Sequence, residues 1–192
     1  MTYYSEEFFR RRAGSLTASA AASQLRTASK SATGSFDVFL SHSIRDARVI
    51  LGVRDWLVAQ NLRVYVDWID DPELDRNAVS EATADRLRKR MQCSRRLIYA
   101  TSRAARQSRW MPWELGYFDG LHDGERVAVM PLESPDSSAF VGEEYLGLYK
   151  LIEQVEADGR LRPYAVLPKG TRAEPLRSFI EGANEFVGLM TR

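Results

Sequence analysis

The chain has 192 residues, 44% hydrophobic and 28% charged, with a formal net charge of +1, which suits one domain with an extension and gives no overall attraction to nucleic acid or an anionic membrane. Cys93 is the single cysteine, so no intrachain disulfide can form, and His42 and His122 are too few for zinc-ligand spacing. A reducing, cytoplasmic setting without a bound metal or cofactor is therefore expected.

In chain order, residues 1–34 read as a flexible extension, because AGSLTASAAASQLRTASKSATGS at 13–35 carries almost no large apolar side chain. Ahead of it YYSEEFFRRR has the makings of one helical turn that docks on the body or on another subunit. A domain over 35–192 follows, with its motifs in 36–132. FDVFL from Phe36 is a buried-strand run. Ser43 with Asp46 is a capping-box pattern, and Val49, Ile50, Val53, Trp56 and Leu57 then recur at helical spacing up to Gln60-Asn61. RVYVD at 63–67 reads as a second strand, WIDDPELDR at 68–76 as a solvated acidic loop, and 77–92 as a helix whose basic end RLRKR complements the dipole.

RRLIYAT at 95–101 gives a third strand, WMPWELGYFDG a third helix, and VAVMPL at 127–132 a fourth strand. A last strand near 164–167 and a helix over about 175–189 complete the pattern. Strands alternating with helices predict an α/β fold with a parallel sheet covered on both faces. No apolar run approaches the roughly 18 residues of a membrane span.

Ligands of such sheets gather beyond the carboxyl ends of the strands, which draws attention to Ser41, His42, Ser43, Asp67, Trp68, Thr101 and Ser102. Ser41 to Asp46 offers hydroxyls and free N–H groups at a helix start, suited to phosphate or ribose, although a serine there also serves as a plain cap. On the third helix Trp110, Trp113, Tyr117, Phe118 and Leu121 form one stripe with Glu114 in its midst. A carboxylate in that stripe needs either an ion-pair partner or a cleft where a ligand supplies one, and spacing leaves both open. P-loop, dinucleotide-fold and nucleophile-elbow motifs are absent.

Taken together and in order, FDVFLSHSIRD, VYVDW with its acidic loop, RRLIYATS and SRWMPWELGYFDG resemble the Toll/interleukin-1 receptor (TIR) domain family, in its bacterial branch. The chain is also similar to the signal-producing TIR component of Thoeris anti-phage systems. The resemblance implies a flavodoxin-like fold with a parallel five-stranded sheet and helices on both faces. It implies a cytoplasmic enzyme that cleaves NAD as substrate, releases nicotinamide and makes an ADP-ribose-type signalling nucleotide for a separate effector protein; attack by water gives ADP-ribose and attack by the adenine of the same molecule a cyclic isomer, and the sequence does not choose between them.

Glu114, with Trp110 four residues earlier, matches the family's catalytic glutamate. Asp67, Tyr65, Trp68, Phe39, Ser41, Ser43 and Trp113 join Trp110 as expected substrate contacts, and homo-oligomers through TIR–TIR contacts are implied. Neither nucleic acid nor membrane is an expected partner. The alternative is a non-catalytic TIR interaction module in which Glu114 is structural; a phosphoacceptor receiver lacks its acid pair after the first strand, where Ser41-His42-Ser43 stands. A nucleoside deoxyribosyltransferase, which also uses a glutamate on a related fold, would be separated by its substrate.

Overall fold

The computed structural model describes residues 2–14, 34–71, 80–102, 105–122, 124–133 and 143–189. β2 (Phe36–Ser41) pairs in parallel with β3 (Val64–Tyr65) on one side and β4 (Ser94–Thr101) on the other. β4 continues in parallel to β5 (Val127–Glu133), and β5 to β6 (Lys150–Ala157). The spatial order β3-β2-β4-β5-β6 is the flavodoxin-like arrangement, so the expected five-stranded parallel core is present.

The sheet is wider than expected, with nine strands among the described residues. β7 (Arg160–Val166), β8 (Arg172–Pro175) and β9 (Val187–Gly188) extend it in antiparallel fashion. Asp158 (φ 51°) and Gly159 (φ 69°) make the two-residue turn between β6 and β7, an Asp-Gly pair whose positive φ values match the right-handed twist of a hairpin. Gly182 (φ 78°) then ends α6 (Leu176–Glu181), so the helix expected over 175–189 is cut short and the chain returns as β9.

Strand alternation divides the core into two layers. Val38, Leu40, Ile98, Ala100, Ala128 and Met130 face α2 (Ala47–Val58) and α6. Phe39, Leu97, Tyr99, Val127 and Val129 face α4 (Glu81–Gln92) and α5 (Trp110–His122). Between them α3 (Asp67–Asp70) is a single turn where the last residue of the second strand and the start of the acidic loop were expected. No helix among the described residues is long and apolar enough to cross a membrane.

The opening residues differ most from the expected flexible extension. β1 (Tyr4–Ser5) pairs with Leu132 and Glu133 of β5, and Thr2 bridges Gln154 of β6, so the strand fills the fork where β5 and β6 part. α1 (Glu6–Gly14) carries fully buried Phe9 onto α2, and the Tyr4 ring lies 5.0 Å from Trp56. The physical reason lies in YYSEEFFRRR itself: Tyr4 and Phe9 supply an apolar anchor, while Glu6–Arg10 and Glu7–Arg11 pairs one turn apart hold the exposed side. Residues 15–33, the rest of that expectation, lie outside the described residues.

Candidate active site

Ser41, the last residue of β2, stands opposite Tyr99 of β4, and its hydroxyl donates to Glu114 Oε2 at 2.6 Å. Glu114 is fully buried. α5 begins one turn earlier, with Ser108 Oγ accepting the Met111 N–H at 3.3 Å. Pro112 sits within that first turn, where a missing N–H leaves no helical bond unmade, so the helix runs on without a break.

The inward face of α5 consists of Trp110, Met111, Glu114, Leu115 and Phe118, rotated from the stripe expected from the sequence. Leu121 is 42% exposed. Trp113 and Tyr117 stack on each other at 5.8 Å over the side of the helix, under the Arg88 guanidinium 5.4 Å from the Trp113 ring, while Gln92 donates to the Tyr117 hydroxyl at 2.9 Å. Trp113 therefore seals the seam between α4 and α5. Trp110 is on the Glu114 face and meets Trp113 edge-on at 5.4 Å.

Two tyrosines absent from the sequence-derived set complete this side. Tyr99 is 3% exposed and hydrogen-bonds Tyr145 of the 3-10 turn Glu144–Leu148. Burial foremost, then Tyr145 and the Glu114 charge, raise the Tyr99 phenol well above its ordinary range. Strand phase alone would have found Tyr99, since it is two residues before the end of β4 and level with Ser41. Tyr145 follows a connection whose path the sequence does not reveal.

Asp67 and Trp68 meet the residue after Ser41. His42 Nδ1 donates to the Leu40 carbonyl at 2.8 Å, and the Trp68 indole N–H donates to His42 Nε2 at 2.8 Å. A carbonyl can only accept and an indole N–H can only donate, which fixes that ring's tautomer. Asp67 Oδ1 lies 3.2 Å from the same Nε2, buried at 2% exposure. Ser41, His42, Asp67, Trp68, Glu114, Trp110 and Tyr99 are thus gathered around the carboxyl end of β2.

Other expected contacts have structural duties. Ser43 caps the turn Ile44–Asp46 by accepting from Arg45 N, while Asp46 accepts from Ser102 Oγ and so takes no part in a capping box. Phe39 and Tyr65 stack at 5.1 Å inside the core, each nearly or fully buried. The Tyr65 hydroxyl donates to Asp71 Oδ2 at 2.9 Å, so neither ring forms an open wall.

The acidic loop was expected to be solvated, yet Asp71 is 2% exposed. Arg90 donates to both its oxygens at 2.8 Å, and Arg86 adds a bond at 3.1 Å, giving two residues of RLRKR a defined partner. Burial alone would raise the Asp71 carboxyl, but Arg90, Tyr65 and Arg86 together hold it below the usual range. Glu73 and Asp75 of the same expectation lie outside the described residues.

Asp70 has the opposite tendency: burial pushes its carboxyl up to about 6, against a bond from the Val66 N–H at 2.6 Å. The folded chain therefore binds more protons at this site than the unfolded chain between pH about 4 and 6. Stability from this group is greatest below that window and falls as pH rises through it. Asp70→Asn is expected to flatten that fall in urea midpoints measured from pH 4 to 7; an unchanged slope would contradict the assignment.

A sequence model of the family described as Thoeris protein ThsB, TIR-like domain, matches residues 39–136, just over half the chain. The chain belongs to this Thoeris TIR-like family. Over 118 residues it is 49% identical to the Bacillus cereus (strain MSX-D12) protein named "Probable 3' cyclic ADP-D-ribose synthase ThsB'", covering 61% of this chain and 60% of that protein. Over 83 residues it is 34% identical to "Putative cyclic ADP-D-ribose synthase TIR2" of Cytobacillus dafuensis, covering 43% of this chain and 22% of that one. The chain thus spans less than two thirds of either relative. The segment matched to the TIR-like family holds Ser41, Asp67, Trp68, Tyr99, Trp110 and Glu114, whereas Tyr145 lies beyond it.

Proposed function

We propose that the chain cleaves NAD between nicotinamide and ribose and closes the remaining ADP-ribosyl group on itself, giving a cyclic ADP-ribose signal that a separate Thoeris effector reads. The observation that carries this reading is the Ser41–Glu114 pair at 2.6 Å, buried where a flavodoxin-like sheet takes its ligands. The names of the two relatives, both cyclic ADP-D-ribose synthases, support the product class, and the first of them favours the 3′ isomer.

When the C–N bond to nicotinamide breaks, its electron pair leaves with the neutral pyridine and the ribosyl carbon becomes an oxocarbenium centre, as in glycoside cleavage. An ionised Glu114 stabilises that cation most effectively where water is excluded, because the surrounding dielectric is low. Ser41 donates to Oε2 and so fixes the carboxylate plane. A nucleophile from the same molecule then bonds to the ribosyl carbon; if it is a hydroxyl, its proton passes to a base, the role given to Glu114. Trp110 supplies an aromatic surface beside the reacting ribose.

Because Glu114 is fully buried in the single chain, substrate entry requires a rearrangement. Self-assembly through TIR–TIR contacts is the proposed means, with rate per chain rising with protein concentration. The test is to incubate the purified chain with NAD over a concentration series and separate nicotinamide from the nucleotide product. Release of nicotinamide is expected, whereas none at any concentration would reject the enzyme reading in favour of an interaction module.

A further inference from the structure

The amino ends of the strands, away from Glu114, hold two adjoining cavities. One of about 510 Å³ has walls from Tyr149, Leu167, Pro168 and Phe186. The other, about 390 Å³, gathers Arg95, Arg96 and Arg126. Glu125, Lys150 and Asn184 line both, so the two make one groove. Along β4, five residues separate Arg96 from Thr101, roughly 17 Å at about 3.3 Å each, which sets the groove well apart from the Ser41 end.

Arg96 is held in place. Its Nε donates to the Phe179 carbonyl at 2.5 Å, another nitrogen donates to the Arg95 carbonyl at 3.1 Å, and its guanidinium lies 5.3 Å from the Phe179 ring centre. Gly182 makes room for the third edge, since a Cβ there would come within 2.7 Å of a guanidinium nitrogen. Burial, and then the charge of Arg126, lower the Arg96 pKa from its ordinary value.

The smaller cavity's lining sets Arg95, Arg96, Arg126 and Lys150 against two carboxylates, Glu125 and Glu181, and the charges of Glu174 and Glu125 offset only part of that of Arg96. Glu181 pairs with Arg177 at 2.8 Å, Glu174 is bound by Lys150 at 2.8 Å, and Arg95 is only within 3.8 Å of Asp37. Arg126 has no ion pair among the described residues. A chain of net charge +1 has no compositional reason to crowd three guanidiniums around one cavity. Planar guanidiniums match phosphate oxygens two at a time, and a cavity of this volume, with Tyr149, Leu167, Pro168 and Phe186 in its walls beside Asp119 and Glu125, accommodates a heterocyclic base.

We infer that this groove binds a nucleoside diphosphate group, with the phosphates on Arg96 and Arg126 and the base between Tyr149, Leu167 and Phe186. The group can come from a free nucleotide or from a dinucleotide, which share this chemistry. The site is independent of the catalytic reading, and its occupancy requires no turnover.

Calorimetry with ADP on the full chain carrying Glu114→Gln tests it, beside Arg126→Glu and Phe186→Ala in that background. One ADP per chain is expected, at least tenfold weaker in Arg126→Glu; Phe186→Ala weakens ADP but leaves inorganic pyrophosphate unaffected. Arg88→Glu, on the α4 surface, should change nothing. NAD competing with bound ADP would identify a dinucleotide source, and failure to compete a free nucleotide. Undetectable ADP binding, or an ADP affinity equal in Arg126→Glu and the parent, would overturn the inference.

Discussion

Glu114→Gln is expected to lower nicotinamide release by about 10²–10⁴-fold while the chain keeps its fold, the range typical for removing one charged group from a transition state. Glutamine has nearly the same shape, and its carbonyl oxygen can still accept from Ser41 Oγ, now at 2.6 Å from Oε2. What it cannot do is offset a developing positive charge or take up a proton. The loss should therefore appear in kcat as well as kcat/KM. Retained turnover would move the chemistry elsewhere, whereas loss of turnover together with loss of cooperative unfolding would mean that Glu114 is chiefly structural.

The second large effect lies far from chemistry. A Cβ built on Gly52 would sit 2.1 Å from the Phe9 carbonyl oxygen and 2.7 Å from its carbon, both backbone atoms that no rotamer change can remove. Gly52→Ala must therefore push α1 off α2, although alanine on its own favours a helix by about 1 kcal/mol. Loss of the Phe9 and Tyr4 anchors, each worth roughly 1.5–3 kcal/mol, outweighs that gain. A net loss of about 2–5 kcal/mol is expected, with Tm falling by roughly 4–20 °C for a chain of this size. Hydrogen exchange should show lost protection through Glu6–Gly14 and retained protection in β4 and β5. Unchanged protection in α1 would contradict the close approach.

These two sites also show what could be read in the sequence. Strand and helix order was legible because Val38 to Leu40, Leu97 to Ala100 and Val127 to Leu132 are apolar runs buried on both faces. The docking of α1 was legible only as one alternative to a flexible extension, since its seat on α2 depends on a single glycine forty-odd residues away meeting the backbone of Phe9. Periodicity put Glu114 inside an apolar face but misplaced that face, because Trp113 and Tyr117 cover a seam beside α4 that no single-helix pattern contains. Asp71 illustrates the same limit: its partners Arg86 and Arg90 lie on the following helix, so a carboxylate that reads as solvated turns inward. The Asp-Gly pair at 158–159, by contrast, was a hairpin signal in plain sight.

The most direct test of the catalytic account is to run the chain on NAD in ¹⁸O-labelled water and weigh the products. Closure within one molecule predicts one nicotinamide per NAD consumed and a nucleotide lighter than ADP-ribose by one water, without the label. Labelled ADP-ribose as the sole nucleotide would contradict cyclisation, and intact NAD after prolonged incubation of the concentrated chain would contradict the cleavage itself.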